Sequence, residues 1–223
     1  MDMDFLKIVK SIEELLYEVM AWLVFYPRTL WRTIRRPSEM MKYSEAEQTE
    51  APEQQYNDTL SPPLFLMLSI LIAHAIEVAM HERIVLHSGL AGELVKSHEY
   101  LLMLRAIAFS IVPLMFAVAL LKGLGRTIDR EKLRGPFYSQ CYVAAPFALA
   151  FGLSSVAIRS PFHELRIAGI ACALIAIAWY LWLQTGWLST HLNISTGRAL
   201  LAALWTAAKA IAIIVAIALV LLL

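Results

Sequence analysis

From residue 62 onward the chain alternates between long apolar runs and short polar breaks. The runs cover roughly 62–80, 100–121, 137–158, 167–188 and 199–223. Each is about as long as the ~20 residues a helix needs to cross a hydrocarbon core ~30 Å thick at 1.5 Å per residue. Lipid offers no partner for backbone N–H and C=O groups, so such runs must be helices. The pattern predicts an all-α fold, a polytopic membrane bundle of five transmembrane helices occupying 61–223.

Before the first run the pattern changes. Between residues 4 and 26, Phe5, Ile8, Val9, Ile12, Leu15, Leu16, Val19, Met20 and Leu23 recur at helical spacing, with Lys7, Lys10, Glu13, Glu14 and Glu18 mostly between them. Three acids in so short a stretch argue against a spanning helix and for an amphipathic helix lying in the membrane interface. Pro27 is expected to break or kink it. Arg28, Arg32, Arg35 and Arg36 follow, with Trp31 among them. They suit an anionic headgroup layer at ~1 kcal/mol per basic residue near the surface. The alternative places this stretch on the protein's own face, and the two can hold together. Residues 1–37 are therefore read as an amphipathic, basic membrane-surface segment. Residues 38–60, with Glu45, Glu47, Glu50 and Glu53, read as a flexible acidic linker without an apolar face to bury. Pro62 and Pro63 then open the first span, where proline is tolerated.

The placement of charge says more than its sum. Net charge is +1 and 59% of residues are hydrophobic, so nothing points to nucleic acid. Lys7, Lys10, Arg28, Arg32, Arg35, Arg36 and Lys42 precede the first span. Lys122, Arg126, Arg130, Lys132 and Arg134 fill the break after the second, and Arg198 the break after the fourth. The other two breaks hold only Arg83, Lys96, Arg159 and Arg166. That is 13 basic residues on one side against 4 on the other. It predicts a cytoplasmic N-terminus and, after five spans, a C-terminus on the outer side. The acid-interrupted start Met1-Asp2-Met3-Asp4 does not read as a cleavable signal, so the first 60 residues are expected to stay on the synthesis side. Cys141 and Cys172 both fall inside apolar runs and read as packing residues rather than a disulfide or a thiolate metal site.

Certain stretches look like a family. They are Tyr26-Pro27-Arg28-Thr29-Leu30-Trp31-Arg32 before the membrane and Leu60-Ser61-Pro62-Pro63-Leu64-Phe65-Leu66 at the mouth of the first span. Arg134-Gly135-Pro136-Phe137-Tyr138-Ser139-Gln140-Cys141-Tyr142 then leads to Ala145-Pro146-Phe147 in the third. With five spans and a cytoplasmic N-terminus, the layout over roughly 20–220 resembles bacterial members of the Yip1 family, which are permease-like. The resemblance implies location in the inner membrane of a bacterium and carries no catalytic residue to this chain. The Asp-Leu-Tyr-Gly-Pro stretch of the eukaryotic branch is absent here, so small-GTPase binding is not implied.

Candidate chemistry rests on the few polar residues inside the spans, mainly His74, Glu77, Arg105, Gln184 and Lys209. A charge at mid-helix costs at least ~2.5–3.5 kcal/mol, so such residues usually find partners or mark pathways. His74 and Glu77 share a helix face, with His81 a turn further on. The sharp reading is a metal or proton site, with His87 and His98 the nearest further ligands. The plainer and preferred one is polar packing between helices. Glu77 near the end of the first span and Arg105 near the start of the second should stand at similar depth. They are expected to form a facing ion pair with His74 as a hydrogen-bond neighbour. The stretch His81-Glu82-Arg83-Ile84-Val85-Leu86-His87 is not a zinc-protease helix, because its histidines are not four apart. Gly123-Leu124-Gly125-Arg126-Thr127 is read as a turn rather than a phosphate loop, and the triplets at Asn57 and Asn193 fall on the side predicted cytoplasmic. Lys209 is expected to lean its ammonium toward the inner side. Ala144, Ala145, Ala148 and Gly152 in the third run, and Ala199, Ala202, Ala203, Thr206, Ala207, Ala210 and Ala212 in the last, let helices approach closely. The contact is either within the bundle or across a homodimer.

No catalytic, cofactor-binding or metal-ligating residue is assigned. The leading expectation is a non-enzymatic membrane scaffold or adaptor for lipids, anionic ones above all, or for a membrane protein partner. The alternative is a small permease, or a subunit of one, with His74, Glu77 and Arg105 along a polar path.

Overall fold

The computed structural model describes residues 2–51, 54–80 and 98–222. These form seven helices and no strand: α1 (Asp2–Arg35), α2 (Pro37–Glu47), α3 (Pro62–Ala79), α4 (His98–Gly123), α5 (Arg130–Ile158), α6 (His163–Leu192) and α7 (Thr196–Leu222). Helices α3 to α7 are long and apolar enough to cross a membrane. The chain is an all-α, polytopic membrane bundle with an amphipathic helix at its N-terminus.

Helix α5 is the centre, with α1, α2, α3, α4 and α6 all packed against it. Its small residues make this possible. Ala144, Ala145 and Ala148 are buried. At Gly152 an added Cβ would stand 2.7 Å from the Cβ of Ala73, so α3 and α5 touch almost backbone to backbone there. Between helices in lipid, such close van der Waals packing replaces the hydrophobic drive available in water. Helix α7 uses the same device against α4 and α6, burying Ala199, Ala203, Thr206 and Ala210. These residues of the two small-residue stripes face into the bundle, while Ala212 at the end of the second is exposed. Lys209 lies outside it, with Nζ 5.0 Å from the centre of the Trp205 ring, one turn back toward the start of α7.

Aromatic rings fill the wider gaps. Phe147 stacks on Tyr180 at 4.8 Å, and Phe116 meets Tyr180 edge-on. One layer nearer the start of α5, Gln140 and Gln184 face each other. Gln140 Nε2 donates to Gln184 Oε1 at 3.0 Å, and Gln184 returns the bond. Both side chains are buried, and each amide satisfies the other, which removes the cost of a lone buried amide.

Three expectations need correction. Pro27 does not end the first helix, which continues to Arg35. Proline removes one backbone bond, but Trp22, Phe25, Tyr26 and Leu30 pack against the core on both sides of it and hold the helix through. Residues 38–60 are not a flexible linker along their length. Residues 37–47 form α2, and Met40, Met41 and Ser44 are buried under the bundle. Two methionines and a serine are too few to register as an apolar stripe, yet Ser139 Oγ donates to the Met41 carbonyl at 3.1 Å and fixes α2 to α5. Helix α5 also starts seven residues ahead of its apolar run. Asp129 caps it by accepting from the Lys132 amide at 2.8 Å. The turns are local in origin. Gly125 takes φ +64° in the break after α4, and Asn193 closes α6 in the left-handed region at φ 52°.

Candidate functional site

Two polar clusters stand at opposite ends of the bundle. The first gathers residues singled out in the sequence. Glu77, in the last turn of α3, is 4% exposed. Arg105 of α4 reaches it and donates from Nη1 to Oε2. The structure adds a second cation, Arg159, which follows the last residue of α5 and donates from Nη2 to Oε1 at 2.5 Å. One carboxylate thus ties together α3, α4 and α5, with a guanidinium on each oxygen. Charge-assisted bonds of this kind are about twice as strong as neutral ones. His74 is near but less tightly placed. Its Nδ1 is 3.8 Å from Glu77 Oε2, beyond the hydrogen-bond distance expected for it. A small cavity of about 180 Å³ lies beside the cluster, lined by Arg105, Arg159 and Ser155 among apolar neighbours.

By its position past the apolar run, Arg159 reads in the sequence as a loop residue. Its depth was the available signal, since α5 ends where α3 ends and an arginine there can reach back. Among the described residues no group of three His, Cys, Asp or Glu side chains is placed to hold a metal ion. The stretch His81 to His87, including both of its histidines, lies outside the described residues.

The second cluster was not anticipated. It lies at the other end, where α1, α2 and the segment before α3 meet α5. Asp58 is its hub. It accepts from Tyr43 Oη at 2.6 Å and from Arg32 Nη1 at 2.7 Å, with Arg28 at 4.0 Å. Partial burial pushes the Asp58 carboxyl up, but the hydrogen bonds from Tyr43 and Arg32 and the charges of Arg32 and Arg28 outweigh it and hold the group below the usual aspartate range. The Tyr43 phenol is pushed up, by burial first and then by the carboxylate it donates to. Leu60 is pinned by both backbone groups. Its N–H donates to Thr29 Oγ1 at 3.2 Å and its carbonyl accepts from Tyr142 Oη at 2.9 Å. Tyr26 Oη lies 2.9 Å from Ser69 Oγ and ties α1 to α3.

The basic residues of α1 therefore divide. Arg28 and Arg32 turn to Asp58. Arg35 lies 4.3 Å over the Trp31 ring, and Arg36 pairs with Glu39 at 3.3 Å. Beyond this anchored half, α1 leaves the bundle. Residues 11–20 are all exposed, and with them the apolar stripe of Ile12, Leu15, Leu16, Val19, Met20 and Leu23. At 1.5 Å per residue the 34-residue helix is about 51 Å long, and among its described side chains those the protein covers lie in the second half. Neither a protein-family model, nor a curated protein, nor a solved structure matches this chain.

Proposed function

We propose that this chain is a non-enzymatic membrane scaffold, which lays α1 along the cytoplasmic leaflet of a bacterial inner membrane and organises lipid or a partner protein there. The bias of 13 basic residues against 4 supports that orientation, with the Asp58 cluster inside, the Glu77 cluster outside and the C-terminus on the outer side. The layout also supports kinship with the bacterial, permease-like branch of the Yip1 family. The observation that carries the reading is the uncovered apolar stripe of α1, held at a fixed place by Tyr26 and by the Arg32–Asp58 pair. A helix with one apolar and one charged face, rigidly anchored at one end, is built to sink into an interface.

The test extracts the full-length protein with its surrounding lipid, without detergent, and compares that lipid with the bulk membrane. Wild type is expected to carry an excess of anionic lipid, and a Leu15→Ser, Leu16→Ser, Leu23→Ser variant to carry a smaller one. Identical lipid around both proteins overturns the reading. The permease reading has one observation in its favour, the 180 Å³ cavity flanked by Arg105 and Arg159. In that reading the Glu77 contacts form a gate that opens when substrate or a proton arrives, and Glu77→Gln abolishes uptake while the folded protein persists.

A further inference from the structure

Among the described residues the bundle is not closed along α4. One hollow of about 650 Å³ lies between α4 and the start of α5, a second of about 490 Å³ lies between α3, α4 and α5, and they share Met103, Ala106, Ser110 and Phe137 as walls. They therefore form one continuous groove. Its α3 side is made by residues such as Leu66 and Ile70. Nearly all of the surface it offers is hydrocarbon. At one end stand Arg130 and Arg134, in the first turns of α5.

These arginines differ from those in the two polar clusters. Four residues apart, they share a helix face. Both are exposed, and among the described residues neither is in a salt bridge. Arg134 is steadied by Tyr138, with its guanidinium carbon 5.2 Å from the ring centre. Arg32, Arg105 and Arg159, by contrast, are each committed to a carboxylate. A groove of hydrocarbon that ends in two guanidiniums matches a molecule with a long apolar tail and an anionic head. The α4 wall alone, from Met103 to Leu114, runs about 16 Å at 1.5 Å per residue. One leaflet contributes ~15 Å of hydrocarbon, so the wall is long enough to lie along an acyl chain.

We propose that this groove is a binding site for one anionic phospholipid of the inner leaflet, its acyl chain lying against Ile111, Leu114 and Phe137 and its phosphate held between Arg130 and Arg134. The inference deepens the scaffold reading by naming its lipid, and it rests on the orientation given there. A planar guanidinium grips a phosphate through paired N–H donors, and two side by side favour an anionic head over a zwitterionic one.

The test is native mass spectrometry of the full-length protein in detergent. It is titrated in parallel with phosphatidylglycerol and phosphatidylcholine of identical acyl chains, and with inorganic phosphate. Two arginines predict a preference of about 30-fold for phosphatidylglycerol in wild type. The pair Arg130→Gln, Arg134→Gln is expected to bring that ratio close to one. Ser110→Phe, and separately Leu114→Trp at an exposed position, should lower the affinity for both lipids by filling the groove. Inorganic phosphate should not compete at millimolar concentration, because the tail is part of the ligand. Equal binding of the two lipids by wild type overturns the proposal. So does a ratio unchanged by the arginine pair, or binding indifferent to both groove-filling variants, which marks lipid held anywhere on the belt. The α1 variant Leu15→Ser, Leu16→Ser, Leu23→Ser should bind phosphatidylglycerol as wild type does. Failure of the scaffold reading and failure of this site are therefore separable.

Discussion

Replacing Glu77 by Gln keeps the shape of the side chain and removes the one negative charge that two arginines share. At an effective dielectric of ~20, opposite charges ~4 Å apart attract by ~4 kcal/mol. Two such contacts reach Glu77, one from Arg105 and one from Arg159. Desolvation of a carboxylate that is only 4% exposed offsets a large part of this. Removing one partner of a buried pair typically costs ~3–5 kcal/mol. The arginine side chains keep 21% and 30% of their exposure, which places the expectation at the lower end, ~3 kcal/mol. For a chain of this size that lowers the melting temperature by ~6–12 °C, at ~2–4 °C per kcal/mol. The assay is thermal unfolding in detergent. Glu77→Gln with Arg105→Gln should recover part of the loss, because one uncompensated cation is gone. Adding Arg159→Gln should again depart from additivity, because Arg159 binds the same carboxylate. A melting temperature within about 2 °C of wild type for Glu77→Gln refutes the reasoning, taking ~2–4 °C per kcal/mol as the scale. Losses that simply add across the three sites refute it as well.

Other outcomes follow from separate parts of the molecule. Gly152→Ala places a Cβ 2.7 Å from that of Ala73 and should destabilise by ~1–3 kcal/mol through overpacking; Ala73→Gly in the same chain should restore the melting temperature. The carboxyl of Asp58 is lowered in the folded protein, so its contribution is present above the unfolded value of ~3.9 and is lost as pH falls through the lower folded value. At 46% side-chain exposure the effect is small. Protection of the amides of residues 54–60, taken relative to their intrinsic exchange rate at each pH, should therefore fall below about pH 4, and Asp58→Asn should lower it already at pH 7. In a variant with Cys141 and Cys172 replaced by alanine, Ile128→Cys should react with a membrane-impermeant maleimide only after the cells are opened; labelling of intact cells reverses the topology.

The spans were readable because lipid imposes a single solution on a long apolar run. The Glu77–Arg105 contact was readable for a related reason, since two costly charges of opposite sign at one depth had a clear incentive to meet. Arg159 was not, because hydropathy assigns a residue by the position of its backbone, and a guanidinium reaches several ångströms from its own Cα. The Asp58 cluster was hidden more thoroughly. Its members are separated in sequence, from Arg28 through Tyr43 to Tyr142, and each alone looks like an ordinary polar residue. Helix α2 was missed because its burial rests on Met40, Met41 and Ser44 only. The pairing of Gln184 with Gln140 depends on the rotation of two helices about their axes, which composition does not specify.

The pinning of Leu60 by Tyr142 has a consequence for the order in which the chain is made. The two residues are 82 positions apart. At ~5–20 residues per second the ribosome delivers Tyr142 about 4–16 s after Leu60. During that interval the first span is made but its partner α5 is not, so Thr59 and Leu60 lack Tyr142 and the Met41 carbonyl of α2 lacks Ser139. The N-terminal 60 residues must then wait at the membrane, and the apolar stripe of α1 is the feature able to keep them there. We infer that docking of the N-terminal segment is a late event in biogenesis. Nascent chains stalled before residue 142 emerges should show rapid exchange at residues 54–60, and chains stalled after α5 has entered the membrane should show protection. Protection already present in the shorter chains would place docking before the third span.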